Sequence, residues 1–153
     1  IIHQMVGGFP DERVVILEDT AEIQCTAQNF VQYHTTLDVS MTQLLKTTLR
    51  MRPDRILVGE VRGAEALDLL DCWNTGHEGG AATLHANNAL MGLTRLESLI
   101  SRNPAAHKDI KRLISEAVHL IIHISRTAQG RIVKEIIGIQ SFSDNRYEFQ
   151  HYR

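Results

Sequence analysis

The 153 residues amount to 17.3 kDa, one ordinary domain's worth of chain, a size expected to bury about two-thirds of the surface its unfolded form exposes. Hydrophobic residues at 43% and charged residues at 22%, with only 10 Gly and 3 Pro, match a globular chain and exclude disordered, low-complexity and collagen-like classes. Sixteen Lys+Arg against eighteen Asp+Glu give a formal net charge of -2, so no overall attraction draws this chain to a polyanion such as DNA. Two cysteines, Cys25 and Cys72, are too few for a disulfide framework or a four-thiolate zinc site and point to the reducing cytosol.

At the start, Ile1, Ile2, Met5 and Val6 recur at helical spacing, and Gly7-Gly8 with Pro10 reads as a stop. A turn and a half without a cap cannot offset the nucleation cost, so the chain is expected to begin inside a helix whose earlier turns are missing. The same stretch lacks the charged start and apolar run of a signal peptide, and no apolar run approaches the roughly 20 residues of a spanning helix. Any membrane association is expected to come through a partner.

Arg13 to Leu17 is almost wholly β-branched and apolar, the pattern of a strand buried on both faces, and it runs into Glu18 and Asp19. Residues 20 to 39 show weak periodicity, with Tyr33-His34-Thr35-Thr36 reading as loop or short edge strand. Ser40 and Gln43 form a capping box, and Met41, Leu44, Leu45, Thr48 and Leu49 line one helical face until Pro53 ends it. Ile56 to Gly59 makes a second buried strand ending at Glu60, followed by a helix through Ala66, Leu67, Leu70 and Trp73 that Gly76 closes. Beyond the loop Gly76-His77-Glu78-Gly79-Gly80, Ala81 to His85 predicts a short third strand. Asn87-Asn88 then caps a helix along Leu90, Leu93, Leu96 and Ile100, broken by Asn103-Pro104. Ile110, Leu113, Ile114 and Ala117 mark another helix; Leu120 to Ser125 and Arg131 to Ile139 flank Gln129-Gly130 as a hairpin, with Tyr147 to His151 a third antiparallel strand. The order predicts one α/β domain whose central strands are parallel, with the antiparallel meander extending one edge.

Three apolar strands thus end in Glu18-Asp19, Glu60 and His85, and open α/β sheets bind ligands just beyond such ends. Each residue alone has an ordinary explanation: an acid after a strand forms turns or caps a helix, and a single histidine is commonly a satisfied core residue. Together they make a polar cluster that is costly unless it meets a metal, a phosphate or mutual partners. An apolar strand followed by an acid, as in Arg55 to Glu60, is also how P-loop NTPases hold Mg²⁺ or its water. Arg50, Arg52, Arg55 and Arg62 surround it, either to neutralise a transferred phosphoryl group or simply to pair with Asp54, Glu60 and Glu65. His77, Glu78 and His85 invite zinc, but the eight-residue step between the histidines departs from the four-residue step of the helical zinc motif.

The run Val15-Ile16-Leu17-Glu18-Asp19-Thr20-Ala21-Glu22 resembles the acidic box of the type II/IV secretion ATPases. Leu49 to Arg55 with Gly59-Glu60-Val61-Arg62-Gly63 is similar to their Walker B region, and Gly76 to Gly79 with Thr83 to Asn87 to their histidine box. The likeness covers essentially the whole chain, and Cys25, Tyr33 to Thr36 and His85 to Ala89 bring it nearest the conjugal-transfer branch. The zinc insert with four cysteines found in the type II and pilus branch has no counterpart. This resemblance implies a hexameric RecA-like motor at the cytoplasmic face of the inner membrane, hydrolysing ATP with Mg²⁺ and working on secretion or conjugation channel proteins. It implies that Glu60 orients or activates the water, that Glu18 acts beside Mg²⁺ or as the alternative base, and that both hold the ion through water. His85 would sense the γ-phosphate, while Asp19, Arg62, Arg50 and Arg52 would make phosphate or subunit-interface contacts.

Relatives place a glycine-rich phosphate loop just before a helix that ends like Ile1 to Val6, yet no Gly-x-x-x-x-Gly-Lys-Ser/Thr occurs in these residues. Without those backbone N–H groups and that lysine, the side chains that remain have little phosphate to act upon. The expectation is therefore a partial RecA-like domain lacking the N-terminal domain and phosphate loop, hydrolytic in the parent and inactive or nearly so alone. A non-catalytic ring-assembly or docking module is the alternative, and a metal hydrolase a distant third.

Overall fold

Val14–Glu18 (β1) is apolar at four successive positions, and all five of its residues are buried. That saturation follows from its place in a computed structural model that describes residues 11–106 and 108–152. β1 runs parallel to Phe30–His34 (β2) on one side and Arg55–Val58 (β3) on the other, with Leu17 opposite both Tyr33 and Val58. Ala81–Ala82 (β4) continues the sheet beside β3, giving the order β2-β1-β3-β4 with every pairing parallel. The segment read as loop or short edge strand is therefore an edge strand that starts earlier, at Phe30. The helix expected over residues 1–6 lies outside the described residues.

The central strands β1 and β3 are buried on both faces. Val14, Ile16 and Leu57 pack with Ala27, and Ile23, Cys25 and Ala81 close over them. Helix α1 (Met41–Thr48), buried through Met41, Leu45 and Thr48, packs against β1 and against α2 (Glu65–Asn74). Val15, Leu17, Ile56 and Val58 have no exposed surface, and full burial of such a side chain contributes roughly 1.5–3 kcal/mol. The predicted capping box at Ser40 and Gln43 is present in both directions. A single turn of tighter helix, Leu49–Met51, follows α1, and Arg52 then takes a left-handed backbone with φ 51° before Pro53.

α2 ends at Asn74 and the chain returns through a glycine loop that is pinned to the start of β3. The Arg55 guanidinium pairs with Glu12 and donates to the Gly79 carbonyl at 2.8 Å, and the Trp73 indole N–H donates to the Ile56 carbonyl at 3.2 Å. A Cβ on Gly80 would overlap both the indole nitrogen and that carbonyl, so only glycine lets the loop pass.

The chain divides into two compact units, with the boundary between Leu84 and His85. In the second, α3 (Ala89–Ile100) is capped by Asn88, whose side chain accepts from the Met91 N–H at 2.8 Å, and by Glu135, which accepts from the Ala89 N–H at 3.1 Å. After α4 (Ile110–Ala117), strands β5 (Leu120–Thr127), β6 (Gly130–Ser143) and β7 (Arg146–Tyr152) form an antiparallel sheet in that order. Its core is Leu99, Ile100, Ile114 and Ile137, all without exposed surface. Asp144 and Asn145 carry positive φ values of 50° and 61°, the geometry of a tight two-residue hairpin turn.

The meander was expected to extend an edge of the parallel sheet; it forms its own sheet instead. Short turns pair β5, β6 and β7 with one another locally, and β4 is a two-residue strand that presents little edge for extension. No helix among the described residues is long and apolar enough to cross a membrane.

Candidate functional site

Parallel strands put all their C-terminal ends on one edge, so the residues that follow them must meet there. Pairing continues past the formal strand ends: the Gly59 N–H donates to the Leu17 carbonyl at 2.8 Å and the Val61 N–H to the Thr83 carbonyl at 2.9 Å. The Thr83 hydroxyl also donates to the Gly59 carbonyl. These bonds bring Glu18 at the end of β1 and Asp19 beyond it level with Glu60 and Arg62 after β3. The approach is close, since a Cβ on Gly59 would stand 2.8 Å from Glu18 Cγ.

Glu18 is 1% exposed, a depth at which a carboxylate needs partners. Its Oε1 accepts from the N–H groups of Glu22 and Ile23 at 3.0 and 2.9 Å, and its Oε2 from the Gln32 side-chain amide at 2.5 Å. His34 Nε2 stands 3.9 Å from Oε2. Asp19 is held differently: the Thr35 hydroxyl donates to its Oδ1 at 2.8 Å, and Arg62 Nη1 lies 3.4 Å from its Oδ2. The other arm of Arg62 donates to Glu60 Oε2 at 2.6 Å. That hydrogen bond, with the charges of Glu60, Asp19 and Glu22, raises the Arg62 pKa further above its ordinary value. Arg62 is thus a fixed cation between two rim carboxylates, and its 63% side-chain exposure makes it an orienting contact with little weight in stability.

The rim offers hard oxygen donors beside a guanidinium, a set suited to a Mg²⁺-bound phosphate chain. Glu60 and Asp19 keep 21% and 40% exposure, whereas Glu18 is buried and both its oxygens accept from protein donors. No group of three or more His, Cys, Asp or Glu side chains able to hold a metal ion by itself occurs among the described residues. A Mg²⁺ bound here would take its remaining ligands from water and phosphate, as this ion commonly does.

Of the residues singled out from sequence, Glu18, Asp19, Glu60 and Arg62 come together. Arg50 and Arg52 do not: both are exposed and precede Arg55, the first residue of β3, at the opposite edge of the sheet. The step from Arg55 to Glu60 spans about 16 Å of extended chain. Arg55 is occupied by Glu12 and the glycine loop, and His77 Nδ1 lies 3.2 Å from the Cys72 carbonyl. His85 is exposed and is the first residue of the second unit. Neither Gln32 nor Thr35 has a place in the site as read from the sequence. The faint signal for the first is polar alternation at Gln32 and His34, which register opposite Ile16 and Glu18 on β1.

The chain matches the family described as type II/IV secretion system protein over residues 4–150. It is 52% identical to the conjugal transfer protein TrbB of Rhizobium radiobacter over 152 residues, covering 99% of this chain and 46% of that protein. Over 152 residues it is 34% identical to the type IV secretion system protein PtlH of Bordetella pertussis, covering 91% of this chain and 45% of that one. The crystal structure of the VirB11 ATPase of the Brucella suis type IV secretion system superposes with a TM-score of 0.78 at 29% identity, over 83% of this chain and 40% of that one. The chain therefore spans less than half the length of these relatives.

Proposed function

The chain belongs to the type II/IV secretion system protein family, and from that premise we propose that it is the C-terminal part of a motor ATPase powering type IV secretion or conjugative pilus assembly. The observation that carries this is the convergence of Glu18, Asp19, Glu60 and Arg62 on one sheet edge. They stand in the chain order of the family's acidic box and Walker B region. Glu60 orients and deprotonates the water that attacks the γ-phosphate, and Arg62 exchanges a carboxylate for phosphate oxygen as charge builds. Asp19 holds Arg62 from the other side. Mg²⁺ bound with ATP would neutralise the phosphate oxygens, and Glu60 would reach it through water. The family likeness implies that His85 senses the γ-phosphate. Arg50 and Arg52, at the far edge, serve contacts with a neighbouring subunit of a hexameric ring. The ring works at the cytoplasmic face of the inner membrane, against channel proteins.

These 153 residues contain no glycine-rich phosphate loop, so nucleotide affinity here is weak and hydrolysis absent or nearly so. Calorimetry with ATP and Mg²⁺ tests this directly. Heats below detection at micromolar nucleotide are expected; micromolar binding by the 153 residues would overturn the assignment of the cradle to another part of the motor. The missing cradle equally suits a non-catalytic ring-assembly module. Light scattering separates the two, because a stable nucleotide-free oligomer favours assembly and a monomer favours the motor fragment.

A further inference from the structure

The acidic box places two carboxylates side by side in the chain, and the structure treats them in opposite ways. Glu18 turns inward. Its Oε1 is bound by two successive backbone N–H groups, of Glu22 and Ile23, and its Oε2 by the amide of Gln32. The same Gln32 amide nitrogen donates at 3.1 Å to the Ile23 carbonyl. Both backbone polar groups of Ile23 are therefore satisfied by this one pair of side chains, and the loop leaving β1 is clasped from beneath. Asp19 rides on top of that clasp, tied to Thr35 and facing Arg62, which faces Glu60.

We infer that Glu18 and Gln32 are a positioning pair that holds the loop at 19–23 and hence the chain Asp19–Arg62–Glu60, and that Glu18 is neither the water-activating base nor a direct partner of the metal. The physical reason is geometric. A carboxylate acts as a base or a metal's partner through a lone pair aimed at the ligand. Three of the roughly four acceptor positions of the Glu18 carboxylate are taken by donors inside the fold, and Gly59 packs close to its Cγ. Freeing the carboxylate would break its bonds to the half-buried N–H groups of Glu22 and Ile23 and to Gln32 and loosen the loop they hold. Glu60, in contrast, pairs with the Arg62 guanidinium, a donor that can transfer its hydrogen bond to a phosphate oxygen. Gln32 has no counterpart among the motifs read from sequence, since its partners lie 14 and 9 residues away and meet it only through the β1–β2 pairing.

This inference rests on the motor reading for its consequence, though not for its first test. Amide hydrogen exchange on the chain without nucleotide reads the clasp itself. Gln32→Met keeps the length of the side chain and removes its donors; it should speed exchange at Glu22 and Ile23 by about tenfold, and Glu18→Gln should do the same. Thr35→Val, which touches only the Asp19 contact, should leave those two amides protected. Unchanged protection in Gln32→Met, with the fold intact by circular dichroism, overturns the clasp.

The second test is ATP turnover by the full-length protein. Gln32→Met and Glu18→Gln should lower kcat by similar factors of about ten while the acid limb of the kcat–pH profile stays in place. Glu60→Gln should abolish turnover. Turnover lost in Glu18→Gln but untouched in Gln32→Met would make Glu18 a catalytic residue and overturn the inference. A Glu60→Gln variant that retains full turnover would instead overturn the motor reading, leaving the exchange result to stand alone.

Discussion

The two units use the same apolar residues in opposite sheet designs. In the first, the central parallel strands are buried on both faces, with Val14 to Leu17 wholly inaccessible, and the charge is displaced to the edge where the strands end. In the second, the antiparallel strands bury Ile137 and Ile139 while Leu120, Ile124 and Val133 remain between 43% and 50% exposed. Strand direction explains the difference in what each can do. Parallel strands deliver every C-terminal residue to one edge, so acids placed after separate strands are forced together; a meander sends successive ends to alternate edges and disperses them. The first unit thus gathers side chains from separate strands at one edge, and the second does not.

Truncating the buried strands is the strongest test of that contrast. Leu57→Ala, at 1% exposure, should cost about 2–5 kcal/mol in urea unfolding, whereas Val133→Ala, at 48%, should stay within about 0.5 kcal/mol. Equal losses would erase the distinction between the sheets. Next in size is Gly59→Ala, which sets a methyl group 2.8 Å from Glu18 Cγ and should cost about 1–3 kcal/mol of thermal stability by crowding the rim.

Smaller effects sharpen the comparison through ionisation. Burial, followed by the charges of Asp68 and Asp71, pushes the Cys72 thiol up to about 11. At pH 8 its thiolate should be scarcer than that of an ordinary thiol by about a hundredfold, and alkylation slower in proportion. Because the folded value lies above the unfolded one, the stabilisation is complete below the ordinary thiol pKa and is lost as pH rises towards about 11. A fast-alkylating Cys72 would mean that α2 does not pack as described. The smallest effect belongs to the exposed meander, where hydrogen bonds from Ser141 and then Ser143 hold the Glu148 carboxyl below its usual range. Its contribution is present above the ordinary carboxylate pKa and fades as pH falls through the depressed one. An NMR titration should show that low midpoint, and Ser141→Ala should raise it.

Much of this was legible along the chain because its causes are local. The unbroken apolar run at Val14 to Leu17 marks a doubly buried strand, Ser40 with Gln43 marks a helix start, and Gln129-Gly130 marks a hairpin, as observed. The rim acids were legible for a similar reason, since each stands at or just past the end of its own strand. What the sequence obscured is which arginine belongs with them. Arg50, Arg52, Arg55 and Arg62 look like one cluster, yet β3 runs between Arg52 and Arg62 and carries them to opposite edges. Gln32 and Thr35 were invisible because their partners Glu18 and Asp19 stand 14 and 16 residues away.

Local backbone preference and hydrophobic period alone determined the elements, their order and the strand ends that carry acids. Only the tertiary structure decided that Glu18 is clasped and Glu60 presented. A buried carboxylate is satisfied by donors from several segments at once, and parallel pairing joins strands that a chain cannot connect by a tight turn. The donors to Glu18 therefore come from the loop after β1 and from β2, and their meeting is a property of the folded sheet.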